Sequence, residues 1–157
     1  MDEDDRKKQL VAVLHRAVDF LARREHSAYE LKTTLHQKGF DLADIEETIT
    51  KLQEDKLQSD DRYTEVFVDE RKRRGHGPVK IQHQLQQKGI PPELIESYIN
   101  PQDQEWINLS QLQYQKKYVN TEVNDYKEWS KRARFLQSRG FTSAQIRATV
   151  NMINEVD

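Results

Sequence analysis

The sharpest chemistry in this sequence sits in four consecutive cations, Arg71-Lys72-Arg73-Arg74, and no acid follows them before Lys88. Guanidinium groups present planar donor forks that match carboxylates and phosphates, and ammonium groups add mobile point charges. Lys80 and Lys88 extend the stretch. Lys131, Arg134 and Arg139 form a second one, in which Glu128 is the lone acid between Lys127 and Arg147. Both stretches point to contact with an anionic partner, protein or nucleic acid. Neighbouring residues splay around a helix axis, so at most about half of the 71–74 run can serve one surface. The plainer alternative is a solvated helix end with cations at the negative pole of the dipole. Lys131 and Arg134 share a face, with Arg132 diverted toward the body. Nearby Trp129 and Tyr126 are read as core or interface anchors in preference to base-stacking platforms.

Catalysis has no comparable footing. The sequence carries no glycine-rich phosphate loop, no serine elbow and no metal motif. The acid pairs Glu46-Glu47 and Asp60-Asp61 are adjacent, and adjacent helical residues diverge instead of converging on one reacting group. His15, His26, His36, His76 and His83 lack a paired ligand spacing, and there is no cysteine to complete a set. No metal, cofactor or enzymatic activity is expected. His26 and His76 each precede a helix start, where a hydrogen-bonding role at the turn is the simpler account.

Of the 157 residues, 35% are hydrophobic and 33% charged, too polar for one thick globule and suited to thin helical modules. The net charge of -2 hides alternating faces, because residues 41–70 are strongly acidic. Residues 1–9 have no apolar signal core, and no apolar run approaches membrane-spanning length. A soluble cytoplasmic protein without membrane contact is the expectation.

The elements that must position the cations repeat along the chain. Gly39, Gly89 and Gly140 stand about 50 residues apart, a period suited to stacked helical units. Leucine lies four before each (Leu35, Leu85, Leu136), and a base lies just before (Lys38, Lys88, Arg139). A large apolar residue follows at once (Phe40, Ile90, Phe141). Ile45, Ile95 and Ile146 stand six beyond, and Ile49, Ile99 and Val150 stand ten beyond. Each glycine is read as a left-handed helix end with a Schellman-type closure. Pro91 or Pro92, and Thr142 or Ser143, then open the next helix. Ser27 with Glu30 has capping-box spacing, and Gly77-Pro78 takes the same place in the second unit, with proline first in its helix. In the third unit Arg132 replaces the first inner apolar residue, and Ala133 or Phe135 is expected to supply the face. Leading helices are expected over 10–25, 60–75 and 103–118, with a loop over 118–125. The reading is all-α: a tandem array of three three-helix repeats over 5–55, 58–100 and 103–156. Gly39, Gly77, Pro78, Gly89 and Gly140 are its structural turn residues.

The stretches LARREHSAYELKTTLHQKGF (21–40) and LQSDDRYTEVFVDERKRRGHGPVKIQHQLQQKGI (57–90) resemble the RecX family of bacterial regulators of the RecA recombinase. The resemblance rests on Arg24 to Leu31, Asp61-Arg62-Tyr63, Arg74 to Pro78 and Leu85 to Ile90, and extends more weakly through RFLQSRGF (134–141). It implies an elongated, curved array that binds the RecA filament on DNA. It also implies inhibition of strand exchange, ATPase and coprotease activities, with consequences for DNA repair and the SOS response. Some members touch DNA directly, and the expected state is a monomer. Arg71, Lys72, Arg73, Arg74, Lys80, Lys88, Lys131, Arg134 and Arg139 are the candidate partner- or DNA-binding residues. The rival reading is a direct nucleic-acid-binding helical repeat protein. PPELIESYI (91–99) speaks against it, offering acids and apolar residues where a recognition helix needs polar readers.

Overall fold

Asp2 starts the first helix: its carboxylate accepts the Asp5 backbone N–H at 2.9 Å, and Glu3, Asp4 and Asp5 bring negative charge to the positive pole. In the computed structural model, which describes residues 2–119 and 122–151, this helix (α1) runs Glu3–Arg23. It begins a full two turns before the apolar stripe at Leu10, because capping and charge sustain helix where burial does not. Then follow α2 (Ala28–Gln37), α3 (Leu42–Glu54), α4 (Asp60–Arg73), α5 (Pro78–Gln87), α6 (Pro92–Tyr98), α7 (Gln104–Lys117), α8 (Tyr126–Ser138) and α9 (Ser143–Thr149). The described residues contain no strand. Part of the expected 118–125 loop, and the expected end of the third repeat at 156, lie outside the described residues.

Each repeat turns its corner in the same way. The N–H of Phe40, Ile90 and Phe141 donates to the carbonyl of Leu35, Leu85 and Leu136 at 3.3, 3.1 and 3.2 Å. The glycine N–H in each case donates to the residue three before it. These are Schellman closures, and they turn the apolar residue after the glycine back toward the helix it leaves. Leu35, Leu85 and Leu136 are all 0% exposed, and Ile45, Ile95 and Ile146 are buried as well. Burying one such side chain contributes about 1.5–3 kcal/mol. Ser27 with Glu30, and Thr142 with Gln145, form reciprocal capping boxes at the starts of α2 and α9. A further Schellman closure ends α3, where Lys56 takes a φ of 61° and Leu57 N–H reaches the Leu52 carbonyl at 2.8 Å.

The chain divides into two compact units, Met1–Val66 with Leu85–Leu94, and Phe67–Gln84 with Ile95–Asp157. In the first, α1, α2 and α3 pack pairwise around Val13, Ala17, Leu31, Leu35, Ile45 and Leu52. In the second, α7, α8 and α9 enclose Val123, Leu136, Phe141, Ile146 and Val150. Within each unit one repeat is pinned to the corner of the next. Ser27 Oγ donates to the Lys88 carbonyl at 2.8 Å, and the Gly77 N–H donates to the Arg139 carbonyl at 2.7 Å. Ser27 and Gly77 hold equivalent places in repeats one and two, as Lys88 and Arg139 do in repeats two and three. At the second joint Val79 N–H also donates to Gly140 at 2.9 Å. A Cβ on Gly77 would lie 2.5 Å from the Gly140 carbonyl carbon and oxygen.

The first joint draws in more of the motif residues. Arg24 donates a guanidinium fork to Glu30 at 3.1 and 3.2 Å, and Arg62 donates to Glu25 at 2.7 Å. Gln58 donates to the His26 carbonyl at 3.1 Å, and the Ala28 N–H donates to Asp60 at 2.9 Å. Burial works against ionisation of Glu30. The Arg24 hydrogen bond, the Ser27 N–H and the nearby Lys88 charge nonetheless hold its carboxyl below the usual range.

Gly77→Ala is expected to cost ~3 kcal/mol, because the new methyl meets the rigid Gly140–Phe141 backbone. Gly39→Ala, at φ 96° but in open space, is expected to cost only about 1 kcal/mol of backbone strain. Urea denaturation of the two variants checks the ordering. By the same method Lys56→Gly should stabilise by about 0.5 kcal/mol through relief of its left-handed conformation.

Candidate partner-binding surface

The cationic run closes α4, and its four side chains take four directions. The Arg71 guanidinium carbon stands 4.5 Å from the Phe67 ring centroid. Lys72 Nζ lies 3.1 Å from Glu105 Oε1 and 4.9 Å from the centre of the Trp106 ring. Arg74 pairs one helical turn back with Glu70 at 2.6 Å, and Arg73 is exposed. Lys72 is therefore committed to packing, while Arg73 and Arg74 face solvent. At the helix end, His76 N–H donates to the Arg71 carbonyl at 3.0 Å, which folds the chain back under the run.

The Gly77–Arg139 joint then gathers cations from three elements. Lys80, on the first turn of α5, lies against Gly140, and Arg139 ends α8 with its guanidinium 5.3 Å from the Phe135 ring centre. Arg71 of α4, Arg74 just beyond its end, Lys80 of α5 and Arg139 at the C-terminal cap of α8 all bear on the His76 imidazole. Burial, then Lys80, Arg71, Arg139 and Arg74 in that order, push it from 6.5 down to about 4. Burial, reinforced by the four cations, favours the neutral ring at physiological pH. His76 Nδ1 and Arg71 Nε are both buried with no hydrogen-bond partner among the described residues. The turn hydrogen bond expected of the histidines is found for His26, whose Nδ1 lies 3.0 Å from the Arg24 carbonyl oxygen, and is absent at His76 Nδ1. A dense positive field rimmed by exposed Arg73 and Arg74 suits a carboxylate- or phosphate-bearing partner.

The remaining candidates divide. Lys88 is tied into the first joint through its carbonyl, and its Nζ stands 3.3 Å from Glu30. Lys131 and Arg134 are exposed on α8. Arg132 is 4% exposed and turned into the body as expected, while half-buried Ala133 and Phe135 pack against the core of the third repeat. It donates to Glu128 at 2.9 Å and to the Tyr114 hydroxyl at 2.7 Å, and its guanidinium carbon lies 4.5 Å from the Tyr118 ring centre. Burial opposes its charge, but those two hydrogen bonds offset it and raise its pKa above the ordinary arginine value. Trp129 is a core anchor, with its indole N–H donating to the Val150 carbonyl at 3.1 Å. Tyr126 is exposed and stacked upon it. Sequence patterning missed His76 as the centre of the cluster. Its single available signal was the density of bases on both sides.

His76 also sets a pH dependence. Its folded pKa lies below the unfolded 6.5, so the unfolded chain binds the proton first, and stability falls as pH drops from about 6.5 toward 4. The melting temperature of the wild type should therefore fall more than that of His76→Gln between about pH 7 and about pH 5.

Comparison with known proteins places these residues in context. Models of the first, second and third three-helix domains of RecX match residues 14–52, 59–99 and 103–150. Regulatory protein RecX of Legionella pneumophila is 38% identical over 125 residues, covering 80% of this chain and 83% of that one. Its counterpart in Vibrio parahaemolyticus is 35% identical over 139 residues, covering 88% and 90%. The crystal structure of RecX from Lactobacillus salivarius superposes with a TM-score of 0.76 at 20% identity, over 89% of this chain and 93% of that one. A second RecX crystal structure gives 0.78 at 20% identity, over 95% and 79%. At that identity the structures speak to the fold.

Proposed function

The chain belongs to the RecX family, and from that premise we propose that it binds RecA filaments on DNA and inhibits their strand-exchange, ATPase and coprotease activities, thereby acting on DNA repair and the SOS response. Its relatives carry the name of a regulatory protein. The role is one of binding, without catalysis, and is exercised by a monomer in the cytoplasm where its partner works. The observation that carries the site is the joint at which the turn closing the Arg71–Arg74 run meets the third corner, with the Gly77 N–H on the Arg139 carbonyl and Lys80 against Gly140. The cations gathered there attract acidic groups of a filament, and repeated units multiply weak contacts by avidity, so no single residue need dominate.

Direct nucleic-acid binding is the alternative. The helix after the second corner, Pro92–Tyr98, is short and exposes Glu93 and Glu96, a poor surface to lay against phosphates. RecA's DNA-dependent ATPase and strand exchange should fall with micromolar protein. Arg74→Glu with Lys80→Glu should require about tenfold more protein for equal inhibition, with an unchanged circular dichroism spectrum. Absence of inhibition by the wild type sinks the filament reading. A steep salt dependence of DNA affinity without RecA would favour the alternative.

A further inference from the structure

The third repeat holds a second surface, distinct from the cluster around His76 and including the candidate cation Arg134. A groove of about 390 Å³ opens between α8 and α9. Trp129, Ala133, Phe141 and Ile146 line it, and Arg134 and Arg147 stand among its polar lining residues. Among the described residues no acid takes part in the lining. Lys127, Lys131 and Arg134 are exposed at i, i+4 and i+7, and so share one side of α8. The single acid on that helix, Glu128, is held by buried Arg132. An apolar concavity beside uncompensated cations is complementary to acidic residues flanking an apolar side chain.

Nucleic acid fits the groove less well. Base stacking needs a free aromatic face and a cationic track several nucleotides long. Phe141 and Ile146 are only 3% and 7% exposed, and Trp129 is fixed by its hydrogen bond to Val150. Tyr126, 73% exposed, lies over Trp129 at 5.9 Å between ring centres and 15° between planes. The cavity has room for one or two amino-acid side chains, and its cations stand where the carboxylates around them would lie.

We propose that the α8–α9 groove is a docking site for an acidic peptide segment with an apolar anchor, the anchor entering between Trp129 and Ile146 and its flanking carboxylates meeting Arg134 and Arg147. This site is independent of the filament reading, which rests on the His76 cluster. The probe is an acetylated, amidated Asp-Glu-Leu-Phe-Glu-Asp peptide, titrated into the full chain and followed by calorimetry and indole fluorescence. Saturable binding with a fluorescence change is expected. Arg134→Glu with Arg147→Glu should weaken it at least about tenfold, and replacing Leu-Phe by Ser-Ser in the peptide should do the same. A short oligothymidylate of equal charge should bind more weakly than the peptide. Should the double reversal disturb the fold, Arg134→Gln with Arg147→Gln serves instead, with a smaller loss in the same direction. Equal affinity for the oligothymidylate would overturn the proposal, as would peptide binding indifferent to either arginine pair or to loss of the anchor.

Discussion

The arrangement depends on one recurring contact, the capture of a corner carbonyl by the start of the preceding repeat's second helix. In the first unit a serine hydroxyl makes it, and in the second a backbone N–H makes it from a residue that can carry no side chain. The difference follows from distance. Ser27 reaches its carbonyl across the length of a side chain, whereas Gly77 lies directly against the Gly140 backbone. A hydrogen bond of this kind contributes only about 1 kcal/mol net. Its larger effect is to fix which residues become neighbours.

Those neighbours explain the charge. Arg139 is the base preceding the third glycine, and alone it would be an ordinary helix-end cation. Docked against Gly77 it is brought to the same imidazole as Lys80, Arg71 and Arg74. Like charges so placed repel one another, and burial together with those cations disfavours the protonated form of the histidine among them. A surface of this kind is costly in isolation and would be relieved by an acidic partner. The same joint therefore sets the register between repeats two and three and builds the surface proposed for that partner.

Much of this was legible in the sequence because helical corners are local. The offsets around Gly39, Gly89 and Gly140 correspond to Schellman closures with the predicted apolar residues buried, Phe40 only partly, since the closure and the apolar stripe depend only on residues within one repeat. The Ser27–Glu30 capping box was readable for the same reason. What escaped depends on contacts between segments distant in the chain. Lys88 reads as an exposed cation until Glu30 is beside it. The inward turn of Arg132 was readable, but the Tyr114 and Tyr118 side chains that enclose it were not. The motif residues Arg24, Glu25, Ser27, Arg62 and Gly77 carried the family resemblance, and in the structure they are joint residues. They hold the stacking of one repeat on the next.

A titration of the His76 imidazole, followed by nuclear magnetic resonance in the wild type and in Arg139→Gln, tests the central claim most directly. If the joint gathers cations from α4, α5 and α8 around that ring, its midpoint lies near 4 in the wild type and moves up toward 6.5 when Arg139 loses its charge. A wild-type midpoint at 6.5, or one indifferent to Arg139, would contradict the account.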